Sequence, residues 1–181
     1  MKNNPNIEVD FQGIRYNVRK KALRKYTYGE NEGKNYLNIG PTEGGQMVKQ
    51  YVKTINKNYL CKVKADHFSM GNSLNVNVCK KDGSPLPQSD YDLIRNFVEL
   101  FKYGRFDGMT DMYETRNASY ETDNGNFITG GCKYVSIDNR PKFGTVEWIV
   151  NEIKNNGRTL EDTTRFITDQ KVIDKAKLQL N

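Results

Sequence analysis

The sequence predicts an α+β domain: an antiparallel sheet built from β-hairpins, with helices packed on it and a protruding N-terminal β-hairpin. Three observations lead there. Stretches of alternating apolar and polar residues come in adjacent pairs joined by short glycine-containing turns, as antiparallel hairpins do. Stretches with apolar residues at helical spacing separate these pairs. A chain of 181 residues that is 36% hydrophobic, with eleven Tyr and eight Phe, has the material for one real core and too little length for two domains to be the default.

Taken in order, residues 7–18 (IEVDFQGIRYNV) alternate on both sides of Gln12-Gly13 and read as a hairpin. A two-residue turn sets Asp10 opposite Arg15 and Glu8 opposite Asn17, and puts Ile7, Val9, Tyr16 and Val18 on the other face. Gln is a poor first residue for a type I′ turn, so a three-residue turn with Gly13 left-handed is the alternative, and it shifts this pairing. Residues 19–26 (RKKALRKY) hold the densest charge run, and YGENEGKN reads as a loop. Thr42 caps a helix over 43–57, in which Met47, Tyr51 and Ile55 recur at i, i+4 and i+8, while two early glycines weaken the first turn.

A second hairpin runs from Tyr59 to Lys80, with YLCKVKADHF and SLNVNVCK joined by Ser69-Met70-Gly71-Asn72 and closed by Asp82-Gly83, Pro85 and Pro87. Ser89, with Asp92 three residues later, opens a helix over 90–103 that carries Leu93, Phe97, Leu100 and Phe101, and Gly104 ends it. RFDGMTDMYETR (105–116), a polar turn region and a strand FITGGCKYVSID (127–138) make a third strand pair. Thr145 begins a helix with Val146, Ile149, Val150 and Ile153, ended by Asn156-Gly157, and a last amphipathic helix occupies 168–179. The expected organisation is a single domain, 1–181. The hairpin and basic segment occupy 1–28, an α+β core 42–141 and the C-terminal helices 144–181.

The net charge of +6 conceals an asymmetry. Residues 1–64 carry 13 Lys and Arg against 5 Asp and Glu, a net of +8, and the remaining residues carry 15 against 17. A one-sided field of this kind attracts phosphate backbones or an acidic protein face; a solubilising surface is the alternative reading. No apolar run approaches the ~18 residues that span a bilayer, and the N-terminus lacks the apolar stretch of a signal peptide, so a cytoplasmic protein without membrane association is expected. Cys61, Cys79 and Cys132 are odd in number and lack a C-x-x-C pair, which predicts buried, reduced thiols.

The single His67 lies in a strand-like stretch and reads as a structural or surface residue. With only one histidine and no G-x-S-x-G, neither a Ser-His-Asp triad nor a two-His metal site is supported within one chain. Nor is there a P-loop or a G-x-G-x-x-G after a strand, so no cofactor is expected. Asp107, Asp111 and Glu114, at i, i+4 and i+7, would align as Mg²⁺ ligands if their segment were helical. Gly104 and Gly108 argue equally for an extended segment, where the three do not share a face.

The hairpin is the stronger candidate site. Glu8, Asp10, Arg15, Asn17 and Arg19 share its polar face, and Lys20, Lys21, Arg24 and Lys25 extend the positive surface. These basic residues can neutralise phosphates, while Tyr16, Tyr26 and Tyr28 are placed to stack on unpaired bases. Glu8 or Asp10 as base with Arg15 as electrophile would serve metal-free RNA cleavage by the 2′-OH; a plain cross-strand salt pair accounts for the same residues.

The runs KVKADHFSMGNSLNVNV (62–78), FDGMTDMYE (106–114) and GGCKYVSIDNRP (130–141) resemble a domain associated with large polyvalent proteins of phages and conjugative elements. The likeness spans roughly residues 45–141 and implies a mobile-element origin; no catalytic role attaches to the FDGMTD block. In size and in Lys/Asn/Tyr-rich composition the chain is also similar to free-standing type II anti-CRISPR proteins. That resemblance implies Cas9 and its guide RNA as partners in a bacterial host cell, with inhibition by occlusion or guide-RNA cleavage. An accessory nucleic-acid-binding module of a mobile element and a metal-dependent nuclease are the other readings.

Overall fold

The structure, a computed structural model, describes residues 6–19, 23–27, 29–30, 32–107, 112–115, 119–123 and 127–180. The fold is α+β. Its first hairpin pairs β1 (Asn6–Phe11) with β2 (Ile14–Arg19) through a two-residue turn. Gln12 at φ 53° and Gly13 at φ 72° supply the positive angles that match a tight turn to the right-handed strand twist. Asp10 therefore faces Arg15 and Glu8 faces Asn17. The unfavourable Gln12 is tolerated because Asp123 grips the turn: its carboxylate accepts from the Gly13 N–H at 3.0 Å, and its own N–H donates to the Asp10 carbonyl at 3.0 Å.

The hairpin lies on the body rather than protruding from it. Val9, Phe11, Tyr16 and Val18 are all buried in the main core. The Gln50 side-chain amide clamps the outer edge of β2 by accepting from the Asn17 N–H (2.9 Å) and donating to the Asn17 carbonyl (3.2 Å).

Two larger sheets follow. One runs in the order β3-β4-β10-β9, from β3 (Leu23–Lys25), β4 (Asn35–Ile39), β9 (Ser119–Glu121) and β10 (Phe127–Gly130). The other runs β11-β6-β5, from β5 (Tyr59–Phe68), β6 (Gly71–Lys80) and β11 (Tyr134–Asp138). The hairpins are antiparallel as expected, but β10 joins β4 and β11 joins β6 in parallel, so both sheets are mixed. β7 (Gly104–Asp107) and β8 (Met112–Thr115) form a separate two-stranded ladder.

The strand expected over 127–138 is broken between the two sheets. At Gly130 and Gly131 the backbone passes between the end of β4 and the turn at Leu100 and Phe101 that precedes β7. A Cβ on Gly130 would stand 2.9 Å from the Phe101 carbonyl oxygen, and one on Gly131 only 2.5 Å from Asn38 Oδ1. Hydrogen bonds from Gly131 N–H to the Ile39 carbonyl (2.9 Å) and from Cys132 N–H to the Phe101 carbonyl (2.9 Å) replace the interrupted ladder.

Helix α1 (Pro41–Ile55) starts before the expected Thr42 cap, with Gly40 at the N-cap position and Pro41 filling the first turn, where its missing N–H is harmless. The glycines that weaken this turn let it approach the sheet: a Cβ on Gly45 would lie 2.6 Å from Val63 Cγ1. Helix α2 (Gln88–Glu99) follows Pro87 and stops short of Gly104, which instead opens β7. Phe97 on α2 stacks on Tyr51 of α1 (4.1 Å) and on Tyr16 of the hairpin (5.7 Å), and meets Phe101 edge-on at 5.3 Å.

Thr145 caps α3 (Val146–Lys154) as expected, accepting from Trp148 N–H at 3.3 Å. The short α4 (Leu160–Thr164), capped by Thr159, was not expected; α5 (Gln170–Leu180) was. These three helices surround a second apolar cluster built on Ile149, Val150 and Ala176. Among the described residues, no helix is long and apolar enough to cross a membrane.

Candidate nucleic-acid interface

The inward alternation of β1 and β2 leaves the opposite hairpin face polar and exposed, with Arg15 at its centre. Its Nε donates to Asp10 Oδ1 at 2.8 Å, Nη2 donates to Oδ2 at 3.3 Å, and Nη1 lies 3.6 Å from Glu8 Oε2. This near-bidentate fork follows from the Asp10–Arg15 cross-strand register. The Arg15 hydrogen bond holds the Asp10 carboxyl below its ordinary range, and the same bond raises the guanidinium.

Two carboxylates on one guanidinium leave this triad with a formal charge of −1, so the positive field comes from its neighbours. Arg19 ends β2, while Arg24 and Lys25 lie on β3, paired with Tyr36 and Asn35. All three are exposed, and none makes an ion pair among the described residues. The basic run is thus partly an edge strand. Lys20, Lys21 and Tyr28 lie outside the described residues.

Tyr16 does not belong to this surface. It is fully buried against Phe97, as its alternation with Val9 and Val18 requires, and cannot stack on a base. Burial pushes its phenol well above the ordinary range, and its hydroxyl has no hydrogen-bond partner among the described residues. Tyr26 is half-buried, its ring 4.5 Å from that of Tyr36 and its hydroxyl 3.3 Å from Ser119 Oγ.

Asp107 and Glu114 do not fall on a helix. Asp107 pairs with Met112 and Glu114 with Arg105 across the β7–β8 ladder, and Asp111 lies outside the described residues. His67 is an exposed strand residue opposite Asn72. The three cysteines are free; Cys79 and Cys132 are buried and Cys61 half-buried. Desolvation pushes Cys61 and Cys132 up to about 12 and Cys79 up to about 11, which leaves them neutral and poorly nucleophilic near pH 7.

Sequence reasoning missed the two residues that hold the hairpin down, Asp123 and Gln50, because each acts across a long sequence separation. Compared with protein-family models, with curated proteins and with solved structures, the chain matches none of them.

Proposed function

We propose that this protein is a mobile-element-encoded inhibitor of Cas9 that engages the guide RNA or the assembled ribonucleoprotein through its basic N-terminal surface, in the cytoplasm of a bacterial host. The observation that carries this reading is the net +8 of residues 1–64, of which exposed Arg19 ends the hairpin, whose apolar face is locked into the core, and exposed Arg24 and Lys25 lie on the β3 edge. Preorganised cations lose less conformational freedom on meeting a phosphate backbone than cations on a loose tail. Occlusion is favoured over guide-RNA cleavage: Asp10 held low by Arg15 is a weak proton acceptor, and Arg15 is already neutralised by Asp10 and Glu8.

The test incubates the protein with guide RNA alone, Cas9 alone and the two together. The RNA is run on a denaturing gel with and without EDTA, and DNA cutting is then assayed. The expected result is intact guide RNA with lost DNA cutting. Shortened RNA would restore the catalytic reading, dependent on metal if EDTA protects it. Intact RNA with full DNA cutting overturns the Cas9 assignment and leaves an accessory nucleic-acid-binding module.

A further inference from the structure

The outer face of the β11-β6-β5 sheet is a second, unassigned surface. Helices α1 and α2 pack on the inner face, where Leu74, Val76 and Val78 are buried. The pleat sends Lys62, Lys64, Asp66 and Phe68 of β5 to the other side, beside Ser73, Asn75 and Asn77 of β6 and Tyr134, Ser136 and Asp138 of β11, where Asp138 accepts from Asn77 Nδ2 at 3.4 Å and is paired with Arg140 at 3.7 Å. At one end the central strand presents only Gly71 and Ser73. Rings from the two flanking strands therefore meet above it: Phe68 and Tyr134 stand 6.0 Å apart at 25° between planes. They stack on each other and remain 47% and 43% exposed, an aromatic shelf at the sheet surface. Lys133 braces it, with Nζ donating to the Met70 carbonyl at 2.8 Å and lying 5.6 Å from the Tyr134 ring centre.

From this geometry we infer that the open sheet face binds single-stranded nucleic acid: Phe68 and Tyr134 stack unpaired bases, Asn75 and Asn77 meet base edges or sugars, and Lys62 and Lys64 take the phosphates. Aromatic rings on an open sheet are sequence-tolerant stacking platforms, since every base has a π face. The lysines lie four and six residues along β5 from Phe68, about 13 to 20 Å away, a span suited to a few nucleotides. The occupant is nucleic acid rather than protein, because the ground between rings and lysines is polar. Ser136 Oγ donates to Asn75 Oδ1 at 2.7 Å, Asn75 Nδ2 donates to Ser73 Oγ at 3.0 Å, and no aliphatic side chain interrupts the row to form the apolar centre a protein partner needs. Lys64 shares its charge with Asp66 at 3.0 Å, which leaves Lys62 as the stronger phosphate contact.

This site is independent of the basic hairpin, and the experiment separates the two. Fluorescence anisotropy of the full chain is measured with labelled oligouridine and oligothymidine of roughly ten nucleotides, and with duplex RNA as a control. Expected are saturable binding to the single strands above that to duplex, a loss of at least about fivefold for Phe68→Ala and for Tyr134→Ala, near-retention for Tyr134→Phe, and persistence in Arg15→Glu/Arg19→Glu. Since both rings are exposed, unchanged circular dichroism in the alanine variants accompanies that result. Absence of single-strand binding by the parent protein overturns the inference. So does equal or stronger binding to duplex, or a loss confined to Arg15→Glu/Arg19→Glu.

Discussion

The α+β body and the C-terminal helices both bury apolar side chains, but the two clusters are held together differently. The body joins residues far apart in the chain: Tyr16 stacks on Phe97, and Ile128 sits beside Leu37 in a parallel pair. The helical cluster fully buries only Ile149, Val150 and Ala176, with Trp148, Ile153, Leu160, Ile167, Val172 and Leu180 half-covered around them. Its contacts are close in sequence, and little apolar area is removed from water. The difference teaches that the body carries the cooperative stability, while the helices form a unit able to open at lower free energy. One close approach links them: a Cβ on Gly83 would lie 2.5 Å from the Glu147 carbonyl oxygen, so the loop after β6 rests directly on α3.

The largest expected effect is in the body. Phe101→Ala leaves a cavity where a fully buried ring met Phe97, and should lower stability by roughly 3–5 kcal/mol in urea unfolding followed by far-UV circular dichroism. Ile149→Ala, also fully buried, should cost roughly 2–5 kcal/mol, but within the helical unit alone. Trp148 is the chain's single tryptophan and lies in that unit, so its fluorescence midpoint should fall while the body's circular dichroism midpoint holds. If both midpoints fall together, the clusters are one cooperative unit and the comparison breaks.

Thr145→Ala removes the cap that receives the Trp148 N–H and should lower the unfolding free energy read by the same fluorescence transition by roughly 0.5–2 kcal/mol. An effect confined to alkaline pH comes from the thiols. Their folded values, about 11 to 12, lie above the ordinary 9.0, so this contribution is intact below pH 9 and declines as pH rises through 9 toward 12. A thiol reagent should accordingly label native protein slowly at pH 7 and rapidly once urea unfolds it. Smallest of all for stability is Arg19→Glu/Arg24→Glu, two exposed positions that make no ion pair among the described residues. It should leave the melting temperature nearly unchanged while abolishing the proposed inhibition of Cas9; a collapsed melting temperature would make these two cations structural.

Much of this architecture was legible in the sequence. Strict alternation around Gln12-Gly13 marked the first hairpin but left its register open between two turn lengths, of which the structure has the two-residue one, and Thr145 marked the start of α3. The same alternation placed Tyr16 with Val9 and Val18, and that was the signal of its burial. What escaped were elements of three to five residues whose pairing is long-range. β3 and β4 surround a loop-like stretch, and β9 sits inside a polar one; α4 is barely more than a turn. The break at Gly130-Gly131 also escaped, because 127–138 reads as one strand, although glycines mid-strand mark close backbone approach. The aromatic shelf could not be read at all: it exists only because β11 pairs with β6 in parallel, which brings Tyr134 to Phe68.

The crossing at Gly130 and Gly131 has one further consequence. The same few residues end β10, hydrogen-bond to β4 and to Phe101 just beyond α2, and lead into β11, with no room for even a methyl group on Gly130 or Gly131. The two sheets are thereby riveted at a fixed separation, and with them the basic edge at β3 and the aromatic shelf on β11. A strand of nucleic acid long enough to touch both would meet a rigid caliper, so affinity should rise at one threshold length rather than gradually with each added nucleotide.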